Sequence, residues 1–175
     1  MENFHDLLKH RRSIRKYTDT PLTPEEVKLI LEAALMSPAG KRKNPWQFVV
    51  VEDKEMLARL SQAKEHGANP IAGASLAVVV VCDAISSDTW IEDGAIASIL
   101  MQLECESLGL GSCWIEMRNR FSADGHRAED VIRGLLNIPF DMEVLSVIAI
   151  GHKDEEKQPY DTDQLQWEKV HIGQW

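Results

Sequence analysis

Apolar and polar positions along this chain follow a helical rhythm in some stretches and a strand rhythm in others, and the two alternate. Val27, Ile30, Leu31, Ala34 and Leu35 recur at helical spacing. That run opens on Thr23-Pro24-Glu25-Glu26, which combines an N-cap, a proline in the first turn and a glutamate three residues after the cap. Pro38 and Gly40 end it. A shorter helix is predicted through Phe4, Leu7 and Leu8 with Asn3 as its cap, another from Asp53 with Met56, Leu57 and Leu60 on its apolar face, and another over Ala128–Leu136. Strands are predicted at Gln47–Glu52, Ser75–Cys82, Ser112–Glu116 and Val144–Ile150. Ser75–Cys82 is apolar on both faces, which places it centrally in a sheet. The stretch from Ile91 to Leu108 is a long helix that is apolar nearly all round, with Gly109 as its C-cap. A helix without a wet face is buried in a core or between subunits. The residues from His152 onward read as extended and polar, yet carry Trp167, Val170, Ile172 and Trp175.

Four strands interleaved with helices predict an α/β sandwich around a central sheet. A doubly wound nucleotide fold fits that order, but its phosphate signature is missing. Gly109-Leu110-Gly111 follows a helix and precedes a strand, the reverse of the dinucleotide fingerprint, and no P-loop motif occurs. A phosphorylated ligand would have to be held by side-chain cations. At 175 residues, 44% hydrophobic and 27% charged, one globular domain is expected. No apolar run reaches the roughly 18 residues of a membrane span, and Met-Glu-Asn-Phe-His-Asp does not open like a signal peptide, so a cytoplasmic protein is expected.

Nineteen Lys and Arg face 28 Asp and Glu, for a formal charge of −9, a poor match for nucleic acid or an anionic membrane. The cations are concentrated. Lys9, Arg11, Arg12, Arg15 and Lys16 form one run and Lys41, Arg42 and Lys43 another. Such runs in an acidic chain mark either a local anion site or a solvated face. Cys82, Cys105 and Cys113 are an odd set in apolar stretches and read as small hydrophobes. The six histidines form no metal-ligating pattern, so no metal is expected.

Four segments could carry chemistry. Arg11-Arg12-Ser13-Ile14-Arg15-Lys16-Tyr17 offers three guanidiniums and a hydroxyl, the donors a phosphate monoester needs. Ser37-Pro38-Ala39-Gly40-Lys41-Arg42-Lys43-Asn44-Pro45-Trp46 is a loop of small residues that lets backbone amides approach a flat ligand. Gly109-Leu110-Gly111-Ser112-Cys113-Trp114-Ile115-Glu116 turns into a strand, and Ile150-Gly151-His152-Lys153 leaves the last one. Trp46 and Trp114 fit core aromatics as well as ligand contacts.

Together these segments resemble the nitroreductase family of FMN-dependent NAD(P)H oxidoreductases, in the family's order and over almost the whole chain. They read R-R-S-x-R-x-Y, then S-P-x-x-x-x-x-x-P-W, then G-L-G-S-C-W-I, then I-G, with V-H-x-x-x-W at the end. The resemblance implies an α+β fold in three layers, a central mixed sheet flanked by helices. It also implies an intertwined homodimer of single-domain chains 1–175, with residues 152–175 exchanged as a tail and one FMN at each side of the subunit interface. By position it implies Arg11, Arg12, Ser13 and Arg15 at the FMN phosphate and ribityl chain. It puts Pro38, Ala39 and Gly40 against the neighbouring subunit's flavin and Arg42 where an amide holds the flavin's polar edge or ribityl chain, while the Asn44 amide is a candidate for orienting the ring. Backbone donors from Trp114, Ile115 and Glu116 are expected near flavin N5, and Lys157 or Lys153 at the phosphate. Arg42 stands where the family commonly has an amide, Ala39 where it has Ser, and no inserted segment forms a lid.

The implied activity passes hydride from NAD(P)H through flavin N5 to an electron-poor acceptor such as a nitroaromatic or quinone, with no catalytic side chain required. Lys41, Arg42 and Lys43 are candidates for stabilising reduced flavin or attracting an anionic substrate. The alternative is a flavin-binding storage or redox-sensing protein with little turnover. Dehalogenation and oxidative flavin chemistry on the same fold rank below both.

Overall fold

The computed structural model describes residues 3–175. Four strands, β1 (Trp46–Val51), β2 (Leu76–Cys82), β3 (Leu110–Glu116) and β4 (Glu143–His152), form one sheet in the order β1-β2-β4-β3. Each neighbouring pair is antiparallel. The mixed character expected of the sheet is confined, among the described residues, to an isolated parallel bridge between Ser13 and Ser112.

Both faces of the sheet are covered, which explains the unbroken apolar run of β2. Ala77, Val79 and Val81 point into one core with Leu57, Leu60, Ile71 and Ile132, contributed by α3 (Lys54–Leu60), α4 (Pro70–Gly73) and α6 (Ala128–Leu136). Leu76, Val78, Val80 and Cys82 point into the other with Ile30, Ala97 and Met101, contributed by α2 (Pro24–Leu35) and α5 (Trp90–Ser107). The side-chain period of two along a strand thus serves two cores at once. Strand β3 begins at Leu110, two residues before the expected start, and α4 had no visible signal in the sequence.

Local chemistry sets the helix ends. Thr23 and Glu26 form the expected capping box, and Asn3 caps α1 (Phe4–His10) by accepting from the His5 amide. Asp53 caps α3. Gly109, at φ +74°, lies just beyond the C-cap Leu108 and turns the chain from α5 into β3. The three cysteines are free and buried, and burial pushes the Cys82 thiol up to about 12. Among the described residues no helix is long and apolar enough to cross a membrane.

Helix α5 buries Asp93, Gly94, Ala97, Ser98, Met101, Gln102 and Cys105 while leaving Ile96 and Ile99 exposed on its outer side. Its close approach to the sheet depends on Gly94, where a Cβ would lie 2.7 Å from Leu145 Cδ2 and 3.0 Å from Cys82 Sγ. In Gly94→Ala, alanine's helix preference favours the variant by about 1 kcal/mol, whereas overpacking costs roughly 1–3 kcal/mol. Two contacts shorter than normal inside a closed core make the net effect a loss. The urea midpoint of the apoprotein is therefore expected to fall, and an unchanged midpoint would show that α5 is not held this tightly.

Candidate functional site

The basic run after α1 lies along one edge of the sheet. The Ile14 amide donates to the Ser112 carbonyl at 2.9 Å, and Thr18 donates to His152 at 3.0 Å. Tyr17 pairs with Lys153, and its hydroxyl donates to the carbonyls of Ile14 at 2.6 Å and Ala149 at 3.1 Å. Burial raises the Tyr17 pKa far above its ordinary value, so the ring is a strut and not a proton donor at neutral pH. These bonds bring residues 11–17 against the first half of β3 and the segment that follows β4.

A cavity of about 360 Å³ opens there, lined by His10, Arg12, Glu106, Lys153, Glu155 and Lys157 among others. Arg12 donates to the Gln158 carbonyl and stacks its guanidinium 4.7 Å from the Tyr160 ring centroid. The Arg15 amide donates to Glu155 at 2.6 Å, and Lys157 pairs with the same carboxylate at 2.8 Å. Those donors, Lys157 first, hold the Glu155 carboxyl below its usual range. Lys153 is bonded to both oxygens of Glu106, at 2.8 and 2.9 Å, so its charge is already matched. Arg11 closes α1 through its backbone amide. Among the described residues the Arg11 side chain and the Ser13 hydroxyl make no hydrogen bond to the chain, and both residues are half-buried. The lining of the cavity takes the alternate residues His10, Arg12 and Ile14 of this run, with Arg11 and Ser13 between them in the chain.

Among the described residues, no strand runs along the outer side of the second half of β3. Ile115 is buried in the core, so only its backbone can reach a ligand. Trp114 donates from Nε1 to the Glu116 carboxylate at 3.1 Å. Lys64, a residue no sequence pattern marks, reaches across to donate to the Glu116 carbonyl at 3.1 Å. Burial, together with nearby Arg120, holds its ammonium below the ordinary lysine value. Lys64 stands alone in Ala63-Lys64-Glu65, in no recognisable motif, and only the packing of the segment after α3 against β3 brings it in.

The Pro38–Asn44 loop sits elsewhere. It precedes β1, the strand at the opposite edge of the sheet from β3. Gly40 opens a short 3-10 turn, Gly40–Arg42, and its amide donates to Asp93 Oδ1 at 2.8 Å. Lys41, Arg42 and Asn44 all adopt left-handed backbone, at φ +52°, +56° and +46°, a conformation that costs non-glycine residues of order ~1–3 kcal/mol each unless the surroundings enforce it. Pro38, Arg42 and Asn44 are exposed, and Ala39 and Gly40 half-exposed. At the loop's ends, Ser37 Oγ and Trp46 Nε1 are buried without a hydrogen-bond partner among the described residues. Trp46 itself packs in the core and stacks on Phe48 at 5.5 Å. No hydrogen bond or ion pair among the described residues joins this loop to residues 11–17 or 153–157. Of the residues predicted to surround one ligand, one chain brings together the arginine-serine run, β3 and Lys157, and leaves the 38–44 loop apart.

Known proteins match this arrangement. A profile of the nitroreductase family covers residues 8–95 and 89–152. A protein of Archaeoglobus fulgidus named as an NADH dehydrogenase/NAD(P)H nitroreductase is 33% identical over 180 residues, spanning 100% of both chains. The structure of an FMN-dependent nitroreductase of Clostridium difficile is 43% identical, covering 98% of this chain and 99% of its own with a TM-score of 0.95. An iodotyrosine deiodinase of Haliscomenobacter hydrossis is 34% identical over 62 residues, 35% of this chain and 28% of its own. Carrying the fold, the motif order and the full-length match, the chain belongs to the nitroreductase family.

Proposed function

We propose that the protein is an FMN-dependent oxidoreductase that oxidises NAD(P)H and reduces a small electron-poor acceptor, a nitroaromatic or a quinone. The observation that carries this reading is the basic cavity lined by Arg12, Lys153 and Lys157, with Arg11, Ser13 and Arg15 adjacent in the chain, at the edge of the sheet beside β3. A phosphate placed among these groups gains charge-assisted hydrogen bonds from guanidinium, hydroxyl and ammonium without any glycine-rich loop. A flat ring whose rim alternates donors and acceptors is suited to the bare backbone of β3 beyond Ser112, with Lys64 at its far end. Bound there, FMN supplies the two-electron chemistry that no side chain of this protein can perform. The residues supply binding, orientation and charge, which accounts for the absence of a triad or carboxylate pair among them.

Two chains complete the site in this reading. Thirteen residues separate Asp93, which holds the 38–44 loop, from Glu106, which holds Lys153. That is about 20 Å along α5 at ~1.5 Å per residue. A second copy packed on the outer side of α5 brings its own loop to the cradle that the first chain leaves open. Ile96 and Ile99 are exposed there, and a groove of about 320 Å³ between α1, α2 and α5 is lined by Phe4, Leu7, Met36, Leu100 and Leu103. Met36 is 74% exposed, Trp167 68% and Ile172 95%. Surface of this kind is what an obligate interface of roughly 2,000–5,000 Å² covers.

Steady-state oxidation of NADH and NADPH by purified, flavin-loaded protein with a quinone or nitro compound tests the activity. Rapid turnover is expected, whereas bound flavin with negligible turnover would favour storage or sensing. Iodotyrosine belongs among the acceptors tried, because a third of the chain resembles a deiodinase. FMN is expected to bind far more tightly than riboflavin. Each charge-assisted bond contributes roughly 1.5–3 kcal/mol, so Arg11→Ala should weaken FMN about tenfold or more. Equal affinities for FMN and riboflavin would remove the phosphate assignment. Deleting the tail from Asp161 is expected to convert the dimer to monomer and release FMN in the same step. Light scattering at micromolar concentration reads this directly, and a truncated monomer that keeps its FMN would contradict a shared site.

A further inference from the structure

Among the described residues, Asp93 is the buried carboxylate that bonds the 38–44 loop, and the reaction as proposed makes no use of it. It is 3% exposed and lies in the first turn of α5, where the helix dipole favours a negative charge. Both of its oxygens are occupied. Oδ1 accepts the Gly40 amide at 2.8 Å, and Oδ2 accepts the hydroxyls of Ser87 and Thr89, each at 3.1 Å. The loop backbone touches the helix end with nothing between them, since a Cβ on Gly40 would lie 2.3 Å from Thr89 Oγ1. At the far end of the loop the Asp83 amide donates to the Pro45 carbonyl at 2.9 Å, and Lys43 donates to the Ser86 carbonyl. Between these anchors run the three left-handed residues Lys41, Arg42 and Asn44. Such a path relaxes unless both ends are fixed.

We propose that Asp93 is a positioning residue for flavin binding and reduction. Through the Gly40 amide it sets where the Pro38–Asn44 loop stands, and so how that loop meets the flavin held by the partner subunit. This rests on the reading that the loop faces the partner's flavin. Asp93 touches no reacting atom; its effect is transmitted by one hydrogen bond and by the close contact of Gly40 with Thr89. The geometry is therefore sensitive from two sides. Removing the acceptor frees the loop, and adding a methyl group to Gly40 pushes the loop off the helix.

The test uses flavin-loaded full-length protein and reads FMN affinity, the two-electron potential of bound FMN, and kcat separately from KM. Asp93→Ala is expected to weaken FMN about tenfold or more, as for the loss of a charge-assisted bond, and to shift the potential. Asp93→Asn retains an oxygen for the Gly40 amide and is expected to stay much closer to wild type in all three. Gly40→Ala should reproduce the loss. Adding Thr89→Ala to it should restore much of the binding, because the nearest remaining Thr89 atom then lies at 3.5 Å. This pair carries the test if Asp93→Ala does not fold. A purely structural role would lower the apoprotein melting temperature while leaving the affinity and potential of the folded fraction unchanged, and that result overturns the proposal. So would Gly40→Ala binding FMN as wild type does. Wild-type protein that bound no FMN would refute the functional reading itself, whereas wild-type binding matched by folded Asp93→Ala would refute this inference alone.

Discussion

Helix α5 can lie where it does because Gly94, Ala97 and Ser98 let its backbone settle onto β2 and β4. Gly94 faces Leu145 and Cys82 at distances that leave no room for a methyl group. Ser98 satisfies its own hydroxyl by donating to the Gly94 carbonyl at 2.7 Å, so it adds no unmet polar group to the interface. Both halves of the candidate site are referenced to this helix. Asp93 at one end holds the Gly40 loop, and Glu106 at the other holds Lys153 beside the basic run. A rigid rod with a carboxylate near each end fixes the spacing between elements that, among the described residues, share no hydrogen bond or ion pair. Displacement of α5 on the sheet would be felt at both.

Charge is arranged with the same economy. The basic run does not sit bare in an acidic protein. Glu155 takes Lys157 and the Arg15 amide, and Glu106 takes Lys153. Arg11 and Ser13 are left without such partners among the described residues. Pairing part of a cationic cluster while leaving part unmatched keeps the cluster from repelling itself and still gives an incoming anion a defined point of contact. Lys64 is handled differently. A backbone carbonyl accepts its ammonium, and burial lowers its preference for the charged form.

Much of this was legible in the sequence. The capping box at Thr23 and the doubly apolar run of β2 are local patterns with one structural meaning each, while the absence of a wet face on α5 left burial in a core or between subunits open. The arginine-serine run and the S-P loop are likewise contiguous, so their chemistry can be read in place. Other features depend on long-range pairing. Glu106 and Lys153 are 47 positions apart and Lys64 and Glu116 are 52 apart, and no periodicity links them. Asp93 was hidden for another reason. In sequence it is one of two acids, Glu92 and Asp93, in a first helical turn, where acids are common for the helix dipole alone. Only the arrival of Gly40, 53 positions away, distinguishes it from its neighbour.

Strand β1 stands at the margin of the sheet, and no strand among the described residues pairs with its outer row of backbone donors and acceptors. Its sequence, Trp-Gln-Phe-Val-Val-Val, is rich in residues that favour extended stacking and contains neither charge nor proline. An edge of that composition is a template for adding foreign strands. It is bracketed by Lys41, Arg42, Lys43 and Pro45 on one side and by Glu52 and Asp53 on the other. Charges and a proline at those positions act as gatekeepers against edge-to-edge growth. The consequence is that neutralising the cationic loop would remove one of the two charged brackets that guard β1 against edge-to-edge aggregation.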